Sequence, residues 1–593
     1  MTPDLDISEL SQTVARDRLS CDVLIIGAGP AGLTVARGLE GSGLDVLILE
    51  SGARHQSEQA EELNAVLADA TTWTDEQVRR RKLYHGSQAE LWTHETQQYG
   101  VRCRGLGGAT AAWAGKSAAF SDIDYAPRPW VANSGWPIRH HDLADHLDRA
   151  AKSLNLSVNC YDDDLWALMN RAPPEPRPDP KTLRSFFWQF ARSTIDPMDV
   201  MRVGAEFAHA PPAGCRVLLG ATVTEVLTKE SGAQAIGARV TDASGQQHVV
   251  VAGTVVLAAS AVENARILLN STAHNPEGLG NAHDVVGRYL MDHPNSVVAS
   301  FDAPAVTKMV EMFGFYGLKT PQGINMYMRG LTLTDEAQEA EGLLHCAAFM
   351  PGERAPDDPW DAAKRILKRQ STSYLADSLS ILKSPGLVCK GLGRLALQNR
   401  RFPTGLSRFI VNQVVRFRPN MAVEEFMTGG VPHKLTGVSV QVICEQVPDP
   451  DNRITLAKRM DRNGVPLPHV NWRLGETELR SISRFATILA EEFELAGLPT
   501  PVLASWVRDG DFDAAAIIDM AHSAGTTRMA TDPAKGVVDR DCKVHGVEGL
   551  YVAGASVFPT SGHANPTLMI TALAFRLADH LRQRRADPAL GPG

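Results

Sequence analysis

One stretch near the start of the chain, residues 21–52, constrains the fold more than any other. Val23 to Ile26 is an unbroken apolar run, typical of a strand buried on both faces. A Gly-Ala-Gly-Pro-Ala-Gly sequence follows at once, then a helical pattern that ends at Leu39 and a second apolar strand, Asp45 to Leu49. This order predicts a βαβ unit that binds a dinucleotide.

The glycines of this unit have separate physical tasks. We expect Gly27 to allow a tight turn, Gly29 to let the backbone approach a pyrophosphate, and Gly32 to bring helix and strand together. Glu50 ends the second strand, where a carboxylate can accept hydrogen bonds from an adenosine ribose. The motif alone does not distinguish NAD from FAD. The predicted cofactor contacts of this unit are Gly27, Gly29, Pro30, Ala31, Gly32 and Glu50.

Length and composition narrow the class of protein. A chain of 593 residues is too long for one core, and its net charge of −9 disfavours nucleic acid as a partner. The eight cysteines form no CxxC pair, which favours reduced thiols in a cytoplasmic protein and predicts no zinc or other metal site. No segment reaches the roughly 18 uncharged apolar residues of a membrane span.

The order of strand-like and helix-like segments predicts an interleaved chain. A buried strand, His248 to Ala258, and the short helix after it return to the nucleotide domain, whereas residues 302–502 mix strands and helices of a different character. We therefore expect a nucleotide domain in three parts, 1–125, 205–301 and 515–593. A cap segment, 126–204, and a substrate domain, 302–514, separate them.

A basic segment lies within the predicted substrate domain. Between Lys364 and Arg418 the chain has twelve Lys or Arg residues and one acid, Asp377. Solvated amphipathic helices are the favoured interpretation. The alternative is a docking face for a membrane surface or an electron-accepting partner.

The C-terminal segment ends in an apolar helix with a clear start signal. Asn565 is predicted at its N-cap and Pro566 at its first position. The blocks before it read DMAHSAGTTRM and GLYVAGASVFP.

With these blocks the chain resembles the glucose–methanol–choline (GMC) flavoprotein oxidoreductases over nearly its whole length. The resemblance rests on the N-terminal fingerprint, the two C-terminal blocks, and the segments RGLGGATAAW, SGWPI, VVLAASAVENARILL and VGRYLMDHP. It implies FAD rather than NAD. It also implies an α/β FAD-binding Rossmann-like domain interleaved with an α+β substrate-binding domain on an antiparallel sheet, as in p-hydroxybenzoate hydroxylase.

The same resemblance implies two catalytic residues. Family members place a His from an H-x-x-G-T block and a His or Asn from the last block beside flavin N5, and these positions fall on His522 and Asn565. His522 is then expected to accept the hydroxyl proton as hydride leaves for the flavin, while Asn565 donates a hydrogen bond to the same oxygen. The N-terminus of the last helix would stabilise negative charge on the flavin.

The His522/Asn565 pair, with Gly-Leu-Tyr-Val-Ala-Gly before Asn565 and Ala-Asn-Pro-Thr around it, is more similar to the pyranose oxidase and glycoside 3-oxidase branch than to glucose oxidase. One position departs from that branch. Ala112 stands where fungal pyranose oxidases attach FAD through His, so we expect non-covalent FAD. The further cofactor contacts implied are Arg104, Gly107, Gly108, Thr110, Ala112, Val223, Ala259, Gly554, Asn565, Pro566 and Thr567.

Polar residues of the second domain are candidates for substrate contacts. Gln446 and Arg453 lie near predicted strand ends, where sheet-edge hydrogen bonding is an equally open interpretation. His563, two residues from Asn565, is a further substrate-facing candidate.

The expected reaction is oxidation of a secondary hydroxyl of a sugar, glycoside or cyclitol to a ketone, with electrons passing to O2 or a quinone-type acceptor. The alternatives are a sterol or aliphatic alcohol as substrate, an NAD(P)H-using flavoprotein, and a flavin-binding protein without catalysis. No second GxGxxG supports a pyridine nucleotide site. The oligomeric state is open.

Overall fold

The computed structural model describes residues 7–13, 19–69, 73–86, 89–196, 199, 201, 212, 214–320, 323–367, 369, 371–390, 403–420 and 433–586. Its strands are β1 (Ile7–Glu9), β2 (Leu19–Ile26), β3 (Val46–Leu49), β4 (Leu67–Ala68), β5 (Lys116–Ser117), β6 (Leu183–Phe190), β7 (Cys215–Leu219), β8 (Thr222–Thr228), β9 (Ala235–Thr241), β10 (Gln247–Leu257), β11 (Pro294–Phe301), β12 (Phe315–Thr320), β13 (Gly323–Leu333), β14 (Cys346–Phe349), β15 (Gly352–Arg354), β16 (Leu435–Cys444), β17 (Arg453–Met460), β18 (Pro466–Asn471), β19 (Val502–Leu503), β20 (Ile518–Asp519) and β21 (Leu550–Val552).

Its α-helices are α1 (Leu10–Thr13), α2 (Pro30–Leu39), α3 (Glu58–Glu61), α4 (Asp75–His85), α5 (Asp122–Tyr125), α6 (Ala144–Ser153), α7 (Leu165–Leu168), α8 (Ser260–Asn270), α9 (Val306–Phe313), α10 (Asp335–Glu341), α11 (Pro359–Leu367), α12 (Tyr374–Leu382), α13 (Thr404–Phe417), α14 (Glu476–Leu495), α15 (Ser505–Arg508) and α16 (Thr567–Ala586).

The first sheet has the order β1-β7-β3-β2-β10-β9-β8, and β21 also pairs with β10. The neighbours β1, β7, β3, β2, β10 and β21 run parallel, and α2 connects β2 to β3. The long strand β10 pairs antiparallel with β9 over its first residues and parallel with β21 over its last. This sheet confirms the predicted Rossmann-like fold of the first domain.

Residues 217–228 contain two strands with different partners. Strand β7 pairs in parallel with β3, whereas β8 forms a hairpin with β9. Periodicity could not identify the partner of β7, because Val217 to Leu219 are apolar without a break and are buried on both faces.

The second sheet is antiparallel and has the order β19-β11-β16-β14-β13-β6-β5, with β12, β15 and β20 paired beside it. Helix α14 covers it with buried side chains that include Ile482, Phe485 and Phe493. Strand β11, which closes the second predicted part of the nucleotide domain, pairs in this sheet, and so does β20, which opens the predicted C-terminal part. A sequence window cannot assign a short apolar strand to one of two sheets.

The two sheets meet where the functional residues lie. Strands β2, β10 and β21 end at one edge of the parallel sheet, and Gly27, Ala258 and Ala553 follow them directly. On the antiparallel side, His293 precedes β11 and His522 follows β20, and these two strands are paired. The carboxyl ends of parallel strands are the usual place for a ligand crevice in such folds.

Among the described residues, no helix combines the length and the apolarity that crossing a lipid bilayer requires.

Candidate active site

A cavity of about 320 Å³ opens where the two sheets meet. It is lined by the first βαβ unit, by the segment that follows Arg102, by β8, and by both C-terminal blocks. The sequence-predicted residues that line it are Gly27, Gly29, Pro30, Ala31, Glu50, Arg104, Gly108, Thr110, Ala112, Val223, Ala259, His522, Gly554, Asn565, Pro566 and Thr567.

The glycine turn after β2 leaves room for a ligand beside Gly29 and leaves no room beside Gly32. A Cβ on Gly32 would lie 2.0 Å from the carbonyl oxygen of Gly27, so helix and strand are in backbone contact there. A Cβ on Gly29 would meet no protein atom within 4 Å, because that position faces the cavity. The free N–H groups at the start of α2 face the same space and suit a pyrophosphate. Gly32 and Gly107 do not line the cavity.

Glu50 is buried beside this turn and organises it. Its carboxylate accepts hydrogen bonds from the backbone N–H groups of Ala28 (2.9 Å), Gly52 (2.8 Å) and Gly105 (3.1 Å). Burial raises its pKa, whereas these donors favour the ionised form. Its place in the cavity lining fits the predicted ribose contact.

A buried ionic network supports the wall next to Glu50. Glu263 on α8 lies between Arg102, Arg104 (3.1 Å) and Arg266 (3.3 Å). Burial opposes ionisation of Glu263, but the three guanidinium groups hold its pKa at about 2. Arg104 also donates to Ser51, so its guanidinium is held in the wall.

The two predicted catalytic side chains are in contact at the other end of the cavity lining. Nδ2 of Asn565 lies 3.2 Å from Nε2 of His522, although 42 residues separate them in the chain. Oδ1 of Asn565 is buried and has no hydrogen-bond partner among the described residues.

The side chain of Asn565 does not cap the last helix as predicted. Helix α16 begins at Thr567, and the first intrahelical bond runs from the N–H of Ile570 to the carbonyl of Pro566. The amide of Asn565 is directed at His522 instead. A capping sequence and a catalytic amide require the same residue type, so the pattern could not separate the two roles.

His293 connects to His522 on the opposite side of the imidazole. Nδ1 of His293 lies 2.9 Å from Nδ1 of His522, and Nε2 of His293 lies 3.3 Å from the carbonyl oxygen of Ser561. A carbonyl only accepts, so Nε2 of neutral His293 carries the proton and its Nδ1 accepts one from His522. Nε2 of His522 is then unprotonated and accepts from Asn565.

The backbone of this histidine pair is anchored by one carboxylate. Asp292 accepts hydrogen bonds from the N–H groups of His293 (2.7 Å), Met520 (3.0 Å) and His522 (3.0 Å), and from the hydroxyl of Tyr99 (3.1 Å). Four donors on one buried group fix where the histidine backbones lie.

The pKa values of Asp292 and of the adjacent carboxylate Asp519 shift in opposite directions. Burial and the charge of Asp519 raise the pKa of Asp292 to about 7. Burial opposes ionisation of Asp519 too, but Arg81, 2.6 Å away, and His85 hold its pKa well below the usual range.

Burial keeps both histidines neutral near pH 7. It lowers the pKa of His522 well below the usual range, and His293 and Lys116 lower it further. Burial also lowers the pKa of His293 to about 4. A neutral imidazole with a free Nε2 lone pair is the form that accepts a proton.

Lys116 lines the cavity and was not predicted as a site residue. Its Nζ lies 4.0 Å from the ring centre of Trp188 and 4.3 Å from that of Phe349, and it forms no ion pair with a described residue. Burial lowers its pKa to about 7. The sequence signal was weak because a lysine three residues after a tryptophan is unremarkable. His293, in contrast, lies in the quoted VGRYLMDHP segment.

Three predicted substrate contacts do not line the cavity. Arg453 pairs with Asp284 at 2.8 Å. Gln446 is fully buried and uses its amide on Asp292 N–H, Trp472 and the carbonyl of Arg473. The amide of Gln446 and the guanidinium of Arg453 are thus used in contacts within the protein.

His563, the third of these candidates, lies in a buried niche beside the antiparallel sheet. Its ring centre is 4.0 Å from that of His345 and 4.5 Å from that of Phe186. Neither ring nitrogen has a hydrogen-bond partner among the described residues. Burial lowers its pKa well below the usual range.

Three side chains that could bind a metal ion lie outside the lining of this cavity. Asp358, Asp361 and His433 lie within reach of one cation, but Nδ1 of His433 already pairs with Asp358 at 2.8 Å. Asp358 also accepts from the N–H groups of Asp361 and Lys434. The arrangement is explained as a structural His–Asp pair.

The βαβ fingerprint, the room beside Gly29 and the strand ends around the cavity are typical of a dinucleotide-binding fold. The GMC oxidoreductase family models match residues 205–295 and 448–574, and an FAD binding domain model matches residues 20–71. The chain belongs to the GMC oxidoreductases. It is therefore an FAD-dependent enzyme that acts on CH–OH groups.

Known proteins resemble the chain over almost its full length. The fructose dehydrogenase large subunit of Gluconobacter japonicus is 22% identical, covering 95% of this chain and 98% of the relative. The 6'''-hydroxyparomomycin C oxidase of Streptomyces lividus is 24% identical, covering 95% and 92%. The solved structure of a fungal aryl-alcohol oxidase superposes with a TM-score of 0.54 at 15% identity over 96% of this chain and all of that one, and it supports the fold.

Proposed function

We propose that the protein oxidises a secondary hydroxyl of a sugar, glycoside or cyclitol to a ketone, with His522 as the base. The observation that carries this proposal is the directed chain of hydrogen bonds from Ser561 through His293 and His522 to Asn565. Such a chain leaves one unprotonated imidazole nitrogen in a cavity that also contains the dinucleotide fingerprint.

The proton step follows from the chain's own residues. A substrate hydroxyl that replaces the Asn565–His522 contact donates its proton to Nε2 of His522 and accepts a hydrogen bond from the amide of Asn565. Loss of the proton makes the carbon a better hydride donor. When bound, FAD supplies the hydride acceptor.

Non-covalent attachment of FAD remains part of the proposal. Ala112 lines the cavity with a methyl side chain, which cannot form a bond to the cofactor. Cys103 also lines it, but burial raises the pKa of its thiol to about 12, so it is a poor nucleophile. Precipitation with acid should leave the yellow colour in the supernatant. Colour in the pellet would contradict non-covalent binding.

A sugar-like substrate is supported by two arguments. Similar proteins are named for fructose and for 6'''-hydroxyparomomycin C. The lining next to His522 also carries polar groups on Lys116 and Ser523, which can bind neighbouring hydroxyls. O2 or a quinone-type compound is the proposed final acceptor.

Anaerobic reduction of the flavin tests the proposal directly. Sugars, glycosides and cyclitols are mixed with the holoenzyme, and loss of absorbance near about 450 nm is followed, because the oxidised cofactor absorbs there. We expect bleaching by a member of this panel and formation of a ketone. Reoxidation by O2 and by a quinone then identifies the acceptor.

One variant and two further bleaching results separate the alternatives. His522→Ala should retain FAD but lose the fast bleaching, and unchanged rates would remove His522 as the base. Bleaching by an aliphatic alcohol or a sterol, but by no sugar, would replace the substrate class. Bleaching by NADPH alone would replace alcohol oxidation with pyridine nucleotide chemistry.

A further inference from the structure

Exposed apolar side chains are concentrated in one basic part of the chain. Seven of the sixteen large exposed apolar side chains among the described residues lie between residues 374 and 417. They belong to helices α12 and α13, inside the segment with twelve basic residues and one acid. Of this segment, residues 368, 370 and 391–402 lie outside the described part of the chain and are not used below.

Helix α13 has two apolar faces. Ser407, Val411 and Val415 recur every four residues and are buried, where the helix packs against β12 and β13. Leu406, Phe409 and Phe417 lie on the opposite side of the helix and are 47%, 59% and 65% exposed. A helix that needs one apolar face for folding has no structural use for the second.

Helix α12 also exposes an apolar stripe. Leu375, Leu379 and Leu382 are spaced i, i+4 and i+7, which places them in one stripe, and all three are exposed. The acid of the segment, Asp377, is on the buried side and bonds to Nε of Arg365 at 3.1 Å. Its charge is therefore compensated and does not offset the outer cations.

Exposed cations flank both stripes. Lys383 and Lys390 follow α12, and Arg408, Arg416 and Arg418 lie on or directly after α13. No exposed acid occurs among the described residues from 371 to 420, although the whole chain has a net charge of −9. Apolar stripes bordered by basic side chains are typical of helices that lie in a membrane interface.

We propose that helices α12 and α13 form a docking surface for an anionic lipid membrane. Leu375, Leu382, Phe409 and Phe417 enter the boundary between headgroups and acyl chains, and the cations contact lipid phosphates. A second copy of this chain is a poorer occupant, because a two-fold contact would place like charges against each other. The proposal is independent of the substrate and concerns where the enzyme works.

Vesicle binding by the FAD-loaded enzyme tests this surface. Vesicles of phosphatidylglycerol and phosphatidylcholine in about a 1:3 ratio are compared with pure phosphatidylcholine at low and high salt. We expect cosedimentation with the anionic vesicles that weakens as salt rises, because screening reduces attraction to the headgroups.

Matched variants separate the two contributions. Phe409→Ser with Phe417→Ser removes apolar contacts, and Lys383→Gln with Arg416→Gln and Arg418→Gln removes charge. Each set should weaken vesicle binding by about tenfold or more, with unchanged flavin reduction in solution. Leu83→Ser with Leu495→Ser is the control, since Leu83 is as exposed as Leu375, at 76% each.

The contrary outcomes are equally definite. Failure of the unaltered enzyme to bind anionic vesicles would overturn the proposal, as would equal losses in the control. Self-association without lipid binding, abolished by the Phe409 and Phe417 substitutions, would assign the surface to a second copy of the chain instead.

Discussion

His293 and His522 are joined through their Nδ1 atoms, 2.9 Å apart, and the carbonyl of Ser561 determines the direction of that hydrogen bond. The carbonyl requires a proton on Nε2 of His293, so His293 can only accept at Nδ1. A backbone atom therefore decides which nitrogen of His522 is free.

Replacing His293 tests this coupling. His293→Leu removes the acceptor for the Nδ1 proton of His522, so the imidazole can adopt the other tautomer. We expect the rate of flavin reduction by substrate to fall on the order of a hundredfold, since a wrong tautomer is costly in catalysis. His293→Gln, whose side-chain oxygen accepts a hydrogen bond, should recover part of the rate. A His293→Leu enzyme with an unaltered rate and pH profile would contradict the positioning role.

Asn565 should affect the reaction more than binding. Its Nδ2 donates to His522 without substrate and, in the proposed mechanism, to the reacting oxygen with substrate. Asn565→Ala should lower kcat by about 10²–10³, with a smaller change in KM, because such a donor acts mainly as charge develops. Asn565→His keeps a donor and should retain more activity. Equal losses in both variants would indicate that the volume of the side chain matters and not its hydrogen bond.

The pH dependence should identify Lys116 as a neighbour of the base. Activity that requires neutral His522 is lost as pH falls through its pKa, which lies well below the usual range, so kcat/KM should be level near neutral pH. Lys116, with a pKa of about 7, is charged on the acidic side, where it opposes protonation of His522. Lys116→Met should therefore shift the acid limb to higher pH.

Lys116→Arg keeps the charge and serves as the matched variant, with an acid limb close to that of the unaltered enzyme. Stopped-flow flavin reduction across pH measures both. A limb that does not move in Lys116→Met would show that the ammonium does not act on the base.

Alanine substitutions at two glycines of the fingerprint should affect different properties of the protein. A methyl group on Gly29 points into the cavity and meets no protein atom, so Gly29→Ala should fold normally but bind FAD weakly. Its φ of −80° is accessible to any residue. Gly32→Ala places Cβ 2.0 Å from the Gly27 oxygen and should destabilise the protein itself.

Thermal unfolding of the FAD-free protein distinguishes these cases. Gly29→Ala should keep its Tm and lose flavin content, whereas Gly32→Ala should lower Tm by several degrees, since about 1 kcal/mol shifts Tm by a few degrees in a large domain. An equal loss of Tm in both variants would contradict the assignment of Gly29 to the cofactor space.

The sequence predicted those features of the protein that depend on residues close together in the chain. The fingerprint requires glycine at positions where the backbone itself makes contacts, so the tasks of Gly27, Gly29 and Gly32 follow from their spacing alone. His522 and Asn565 were predicted through the family resemblance and lie in contact. Their catalytic roles remain predictions.

The roles of polar residues in the second domain, in contrast, could not be predicted from the sequence. The sequence left substrate contact open for Gln446 and Arg453, but Asp292, Trp472 and Arg473 bond to the amide of Gln446, and Asp284 pairs with Arg453. Lys116 reaches the cavity, and His293 reaches His522, from β-strand ends that are distant in sequence. Which polar groups are already satisfied depends on chain segments that no window of sequence contains.

The sequence by itself therefore determined the dinucleotide fold, because that fold depends on residue types at short, defined spacings. Its motifs also indicated, through a family resemblance, the family and the two side chains proposed to react. Only the tertiary structure decided the tautomer of His522, the approach of Lys116 and the exposure of the stripes on α12 and α13. These properties arise from contacts between segments that are distant in the chain, whose free energies are set by packing and burial rather than by sequence neighbours.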